Sequence, residues 1–160
     1  MDGLNGVPRR VGSRPRTDRN LPHRQLDQQP NADLLTELAR RFGPFADAEE
    51  HPSRVSVPGA RALCVRPGIP TGPTTAFMAG LEFAHLHPAP DSSLHLVLPE
   101  PSATQVLEAG WGELHPLALS GEVPETTLMI YAPRNDDELD VVLGFVRDSY
   151  QFAIGVTGRG

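Results

Sequence analysis

The sequence contains no lysine, and its fourteen basic residues are all arginines. Without a lysine side chain, neither a Schiff base to pyridoxal phosphate nor the phosphate-binding lysine of a P-loop can form, so both enzyme classes are excluded. No Gly-x-Ser-x-Gly nucleophile motif occurs, and no glycine-rich dinucleotide fingerprint follows a predicted strand. Tightly bound NAD or FAD is therefore not expected.

Cysteine and long apolar runs are also scarce. The single cysteine, Cys64, cannot close an internal disulfide, and it falls on a predicted strand where a buried, inert thiol is favoured over a catalytic one. No apolar run approaches the roughly 20 residues that cross a bilayer. No apolar stretch follows Arg9 and Arg10 before Ala32, which argues against a secretory signal. These features predict a soluble, cytoplasmic protein without a membrane partner.

Charge divides the chain into two parts. Residues 1–30 hold six arginines and three aspartates (+3), which leaves eight arginines and seventeen acidic residues (−9) to make the net charge of −6. The acidic remainder disfavours nucleic acid as a partner. Residues 1–30 contain few large apolar side chains and are predicted to form a disordered arginine- and proline-rich arm. A solvated tail is favoured there over an arm that binds RNA or acidic lipid.

Residues 31–160 are predicted to form a single α+β domain, with a small antiparallel sheet and helices packed on one of its faces. Asn31 is the expected N-cap of a first helix, and Asn135 with Glu138 forms a capping-box-like start to a final helix. Between them the patterns predict strands over residues 54–57, 60–66, 81–87, 93–98 and 126–132, and a helix over 102–109.

The predicted hairpin of residues 81–98 contains most of the candidate site. Side chains alternate along a strand, so Phe83, His85 and His87 should share one face, with Glu82, Ala84 and Leu86 on the other. A turn near Pro90 sets His85 opposite His95 and His87 opposite Ser93. The three histidines then lie together, while the leucines at 94, 96 and 98 point to the core. His85, half buried between strands, is the preferred general base.

Four further residues complete the candidate site. His115 follows Trp111 in a glycine-bearing segment and is a candidate to orient substrate or return a proton. Tyr131 could donate to an oxyanion and Arg134 could hold a carboxylate, while Trp111 offers an aromatic surface for a ligand. Each residue has a structural alternative. Trp111 could belong to the core, and Arg134 could pair locally with the acidic run at 136–138.

Glu82 is a candidate for substrate binding, with a solvated carboxylate on an edge strand as the alternative. Glu113 is expected to be exposed in a turn-like segment. No carboxylate is expected on the histidine face of the hairpin, and a His-x-His pair alone is a weak metal signal. The sequence therefore predicts no bound metal and no cofactor.

Several motifs in order resemble the luciferase-domain family, which includes the fungal luciferase and is distinct from the flavin-dependent bacterial luciferases. They are Glu-Phe-Ala-His-Leu-His-Pro at 82–88, Ser-Leu-His-Leu-Val-Leu-Pro at 93–99, Gly-Trp-Gly-Glu-Leu-His-Pro-Leu-Ala at 110–118 and Met-Ile-Tyr-Ala-Pro-Arg at 129–134. The resemblance implies an α+β domain. It also implies chemistry like that of the fungal enzyme, which oxidises a hydroxylated α-pyrone with molecular oxygen, loses carbon dioxide and uses no flavin.

We therefore expect a small-molecule tailoring enzyme that acts on an enolic, pyrone-like or polyketide-like substrate by histidine acid/base chemistry. The reaction would be a cofactor-free oxygenation, a decarboxylation or a cyclisation. The lysine-free, arginine-, proline- and alanine-rich composition suggests a GC-rich genome, and we expect the tailoring step to belong to secondary metabolism. The alternative is a non-catalytic domain that binds a small ligand or a protein, and the sequence leaves the oligomeric state open.

Overall fold

A computed structural model describes residues 6–156 of the chain. The elements in chain order are α1 (Ala32–Arg41), β1 (Ala48–Pro52), β2 (Arg61–Val65), β3 (Glu82–Leu86), β4 (Leu94–Val97), α2 (Glu100–Glu108), β5 (Gly112–Leu114), α3 (Pro116–Leu119), β6 (Thr127–Ile130) and α4 (Asp136–Ala153). The six strands form one sheet in the order β1-β2-β3-β4-β6-β5, and every neighbouring pair is antiparallel. The α+β prediction is confirmed.

The helices begin where their capping residues predict. The side chain of Asn31 accepts a hydrogen bond from the backbone N–H of Leu34, and the side chain of Asn135 accepts one from that of Glu138. Each bond satisfies a backbone donor that the first helical turn leaves without a partner. Helix α4 then presents its apolar side to β3 and β4, so the main core lies between one face of the sheet and the helices.

The predicted hairpin forms with the predicted register. His85 pairs with His95, Leu86 pairs with Leu94, and the backbone N–H of His87 donates to the carbonyl of Ser93. Leu94, with its neighbours at 96 and 98, joins the hydrophobic core. The opposite face of the hairpin is therefore left to the histidines.

The predicted face of Glu82 is wrong, because β3 contains a bulge. The pairing of β2 with β3 shifts between Leu63 and Cys64, so that β3 contains one extra residue near Phe83. A bulge moves the residues beyond it to the other face of the sheet. Phe83 consequently packs in the core, and the buried carboxylate of Glu82 reaches the histidine face instead.

One of the other strand predictions needs correction, and two short elements were missed. Residues 54–57, predicted as a strand, form a bend, and the edge strand β1 occupies Ala48–Pro52 instead. The short strand β5 and the one-turn helix α3 were not predicted, because three or four residues are too few for a periodic pattern to emerge. No helix within residues 6–156 is long and apolar enough to cross a membrane.

Residues 6–30 lie against the domain, whereas their composition predicts a disordered arm; residues 1–5 of that arm are outside the described part. We call residues 6–30 the N-terminal strap. Arg10, His23 and Gln25 are all at least nine-tenths buried in it. The strap lacks an apolar core of its own, but its polar side chains satisfy backbone groups of the domain. The side-chain oxygen of Gln25, for example, accepts from the N–H of Ala132.

A small loop within the strap places His23. The backbone N–H of Leu26 donates to the carbonyl of Arg16, and the N–H of Asp18 donates to that of Arg24. The backbone N–H of Gln25 also donates to Asp91, which lies in the hairpin turn. These bonds direct the loop toward the histidine face of the sheet.

Candidate functional site

Five of the six histidines meet on the face of the sheet that lies away from the main helices. His85 comes from β3, His95 from β4, His87 from the start of the hairpin turn, His115 from the N-cap of α3 and His23 from the N-terminal strap. None is more than 6% exposed. The sequence placed the first four in one site, and the structure brings them together.

His95 lies at the centre of this histidine cluster. Its Nδ1 is 3.0 Å from Nε2 of His85, and its Nε2 is 2.9 Å from Nδ1 of His23. The rings of His87 and His115 meet the His95 ring at centroid distances of 4.6 and 4.4 Å. Every other member of the cluster therefore contacts His95.

Three of the imidazoles form hydrogen bonds with carboxylates. Glu82 Oε2 is 2.8 Å from Nδ1 of His85, and Asp91 Oδ2 is 2.8 Å from Nδ1 of His87. Because an ionised carboxylate only accepts hydrogen bonds, both Nδ1 atoms carry the proton. The Nε2 atom of each ring is then an unprotonated base.

His23 and His115 are oriented in different ways. His23 donates from Nε2 to Glu113 Oε2 at 2.7 Å, which leaves its Nδ1 unprotonated. His115 is reversed, because its Nδ1 accepts from the backbone N–H of Leu117 and its neutral ring must carry the proton on Nε2. His115 is thus the member of the cluster with a proton to donate.

A continuous line of hydrogen-bonding groups runs from Glu82 through His85, His95 and His23 to Glu113. Its four contacts require four protons, but three neutral imidazoles carry only three. With both carboxylates ionised, one contact therefore sets two nitrogen lone pairs against each other. The line is complete only when it takes up one more proton or another cation.

Burial opposes the uptake of that proton. Burial lowers the pKa of His85, although the carboxylate of Glu82 acts in the opposite direction. For His95 burial together with the neighbouring histidines holds the pKa well below its usual range. The same causes lower the pKa of His115 to about 4. At neutral pH these rings are consequently neutral, as a general base must be.

Glu113, expected to be exposed, instead connects the strap to the sheet. Besides His23, it accepts hydrogen bonds from Thr17, Arg14 and Tyr131. Burial favours the neutral acid, but these donors prevail and hold the pKa of Glu113 at about 2. Burial and the Glu113 carboxylate raise the pKa of Tyr131 to about 12. The Tyr131 hydroxyl is therefore a neutral donor that is already engaged by Glu113.

Two of the predicted binding residues lie outside the cluster. The guanidinium of Arg134 pairs with Glu138 and donates to the carbonyl of Val11, as the local-pairing alternative has it. Trp111 is 3% exposed, belongs to the main core, and donates from Nε1 to the carbonyl of Pro8. Both residues fasten the strap rather than contact the histidines.

We expect Trp111→Phe to lower the free energy of unfolding by about 1 kcal/mol, because the carbonyl of Pro8 loses its indole N–H donor while most of the apolar contact is kept. We expect the affinity for small ligands to be unchanged, because Trp111 lies outside the histidine cluster. Chemical denaturation measures the first effect and isothermal titration calorimetry the second. A selective loss of ligand affinity with unchanged stability would show that Trp111 is a ligand-binding residue.

Sequence reasoning missed His23, and it missed the roles of Asp91 and Glu113. His23 lies in a polar segment with no periodic pattern, so no local signal connects it with the hairpin. Asp91 had a weak signal, since a carboxylate four residues after His87 across a tight turn can return to its ring. Glu113 shares a strand with no other titratable residue and could not be located without the fold.

Comparison with known proteins identifies the family. Residues 80–149 match the family model of the luciferase domain, and this range contains the hairpin, Trp111, His115 and most of α4. The luciferase of Armillaria ostoyae is 33% identical to this chain over 154 residues. Residues 80–149 of the chain belong to the luciferase-domain family. This confirms the resemblance that the motifs indicated.

The fungal relatives of this luciferase-domain protein are longer than the chain. The luciferase of Armillaria gallica is also 33% identical over 154 residues, and that of Neonothopanus nambi is 32% identical over 155. Each alignment covers 87% of this chain and 58% of the relative, so the chain spans a little over half of their length. No solved structure matches. Family membership and the histidine cluster together suggest an enzyme-like domain for a small molecule.

Proposed function

We propose that this luciferase domain is an enzyme that deprotonates an enolic, pyrone-like or polyketide-like small molecule at the histidine cluster. The resulting enolate is electron-rich. With molecular oxygen as co-reactant it is oxidised while oxygen is reduced and carbon dioxide leaves; without oxygen it decarboxylates or cyclises. A tailoring step in secondary metabolism fits such chemistry, and the names of the fungal relatives support the oxygen-dependent version.

The observation that carries this proposal is the pair formed by Glu82 and His85. The carboxylate fixes the proton on Nδ1, so the unprotonated Nε2 points into the cluster at 3.0 Å from His95. A general base needs a fixed tautomer, a free lone pair and a pKa that leaves it neutral at the working pH. His85 meets these three requirements, so it is the acceptor of the enol proton in the metal-free protein.

His115 supports the reaction from the other side of His95. Its Nε2 carries a proton, because Nδ1 accepts from the N–H of Leu117. The Nε2–H group of His115 can donate a hydrogen bond to the oxygen on which negative charge develops. Hydrogen bonds aimed at such a charge are a large source of rate enhancement. His85 and His115 therefore take the roles of base and electrophile.

Entry of a substrate requires movement of the N-terminal strap. His23 contacts His95, Gln25 contacts Asp91 behind His87, and the two strap residues are 3% and 2% exposed. The loop that carries them is held mainly by polar contacts to Glu113 and Asp91. Such contacts exchange readily with water, unlike an apolar core, and a cover that opens and closes would exclude water during the reaction.

A carboxylate variant tests the proposal. Glu82→Gln should lower turnover of a hydroxylated α-pyrone by about 10-fold to 100-fold, because an amide neither fixes the tautomer of His85 nor stabilises its protonated form. Oxygen uptake, carbon dioxide release and loss of substrate absorbance measure the rate. The matched control is Glu49→Gln, which removes a carboxylate from a surface pair with His51 and should leave the rate unchanged.

The closed state of the cluster favours one alternative, a non-catalytic domain that binds a small ligand. Calorimetry distinguishes the two. Binding of pyrones without any turnover, in the presence and absence of oxygen, would support the binding domain and contradict the enzyme.

A further inference from the structure

A second property of the cluster follows from three of its imidazoles. One ring nitrogen from each of His85, His87 and His95 lies within 4.8 Å of the other two, and all three residues are buried. Within residues 6–156, one other histidine triad meets the same distance condition, and it consists of His23, His95 and His115.

The two triads differ in which ring nitrogens carry a proton. His85 and His87 each hold a proton on Nδ1 for a carboxylate and present an unprotonated Nε2. When His95 donates from Nε2 to His23, its Nδ1 is also unprotonated. The second triad is poorer, because Nε2 of His115 must carry the proton while Nδ1 accepts from Leu117. A neutral imidazole ligates through its unprotonated nitrogen.

The distance between the His85 and His95 nitrogens suits a metal ion better than it suits these two rings alone. In that tautomer the lone pairs of His85 Nε2 and His95 Nδ1 face each other at 3.0 Å, an arrangement that is repulsive without a cation. Two nitrogens bound to a tetrahedral ion at about 2.0–2.1 Å lie about 3.3 Å apart. A small outward movement of the rings therefore accommodates the ion.

We propose that His85, His87 and His95 bind one divalent transition-metal ion through three nitrogens and leave a fourth position open. Imidazole ligands suit zinc, iron, copper and nickel. Three protein ligands with an open position are the arrangement of catalytic rather than structural sites.

The groups behind the ligands match those of known metal sites, where a ligating histidine donates its other N–H to a carboxylate. Glu82 holds His85, Asp91 holds His87, and His95 reaches Glu113 through His23. The expectation that no metal binds depended on a histidine face without carboxylates. The structure contradicts that premise.

The role of the ion rests on the proposed function, although its binding does not. An enol oxygen would occupy the fourth position as an enolate, and its proton would pass to hydroxide already on the ion, which leaves as water. The ion lowers the pKa of the bound oxygen, so His85 acts as a ligand in the metal-loaded protein and as the base only in the metal-free one.

The test measures the metal content of the full chain. Elemental analysis after dialysis against zinc, anaerobic iron(II), copper(II) or cobalt(II) should show about one equivalent of at least one ion. Cobalt(II) should also give the visible absorption of a low-symmetry, four-coordinate site. His85→Ala with His87→Ala should abolish binding, and His115→Ala and His51→Ala should each retain it, because neither residue is a ligand.

Two isosteric variants keep the test informative if the double variant fails to fold. Glu82→Gln and Asp91→Asn leave all three ligands in place and should weaken the affinity by about 10-fold to 100-fold. Absence of stoichiometric binding for every ion, or unchanged affinity in both isosteric variants, overturns the metal site.

The activity assay separates this proposal from the proposed function. Stoichiometric metal without turnover of any enolic substrate supports the metal site and contradicts the enzyme. Full turnover in protein shown to be metal-free overturns the role of the ion and leaves the enzyme intact.

Discussion

His85→Gln should lower the turnover of an enolic substrate by about 100-fold to 10,000-fold, the range that loss of a general base typically costs. Glutamine has nearly the length of histidine and can still donate to Glu82, so the buried carboxylate keeps a partner. We therefore expect a thermal midpoint within a few degrees of the wild type. The same variant removes a metal ligand, so the metal-loaded protein should lose activity as well.

Single-turnover kinetics on a hydroxylated α-pyrone, with oxygen consumption recorded in parallel, measures this effect. His51→Gln is the control, because His51 is exposed on β1 and pairs only with Glu49 at the surface. Near-full activity in His85→Gln would make His85 a structural residue. Loss of the folded state would point the same way and would remove it from the site.

Gly112→Ala should destabilise the fold by about 3 kcal/mol or more. A Cβ at Gly112 would lie 2.2 Å from the carbonyl oxygen of Met129, which belongs to the paired strand β6 and cannot rotate away. The strand β5 would have to separate from β6. Because Glu113 follows directly, the strap would lose its contacts with Glu113, and we expect the thermal midpoint to fall by about 10 °C.

Gly144→Ala provides the matched control for the same chemical change. Gly144 lies in the middle of α4, and a Cβ there would meet no atom within 4 Å. Alanine is favoured over glycine inside a helix by up to about 1 kcal/mol, so this variant should be slightly more stable than the wild type. Equal midpoints for the two variants would contradict the close approach of β5 and β6.

The hairpin is the part of the site that the sequence predicts best. Alternating side chains and one proline-bearing turn are enough to set His85 opposite His95, because register in a hairpin depends on neighbours that are close in sequence. The bulge near Phe83 is invisible to that reasoning, since it depends on how β2 pairs with β3. The bulge moves Glu82 to the other face of the sheet and so places a carboxylate next to the histidine cluster.

Long-range polar contacts account for the other misses. Residues 6–30 contain too few apolar side chains to fold alone, which is why their composition predicts disorder. Their order comes from bonds to the finished domain, such as those between Gln25 and Ala132 and between His23 and Glu113. The contact between Trp111 and the strap is hidden from the sequence for a similar reason, because the acceptor of its indole N–H, the carbonyl of Pro8, lies 103 residues away.

The segment that matches the family model is shorter than the segment that must be inherited together. Residues 80–149 carry four of the five clustered histidines and all three supporting carboxylates, yet β2 and His23 lie outside them. A gene fusion that transferred only this segment would leave β3 unpaired on one side and would remove His23, the hydrogen-bonding partner of His95 Nε2. Exchange between genes should therefore preserve the chain from the strap to the end of α4 as one block.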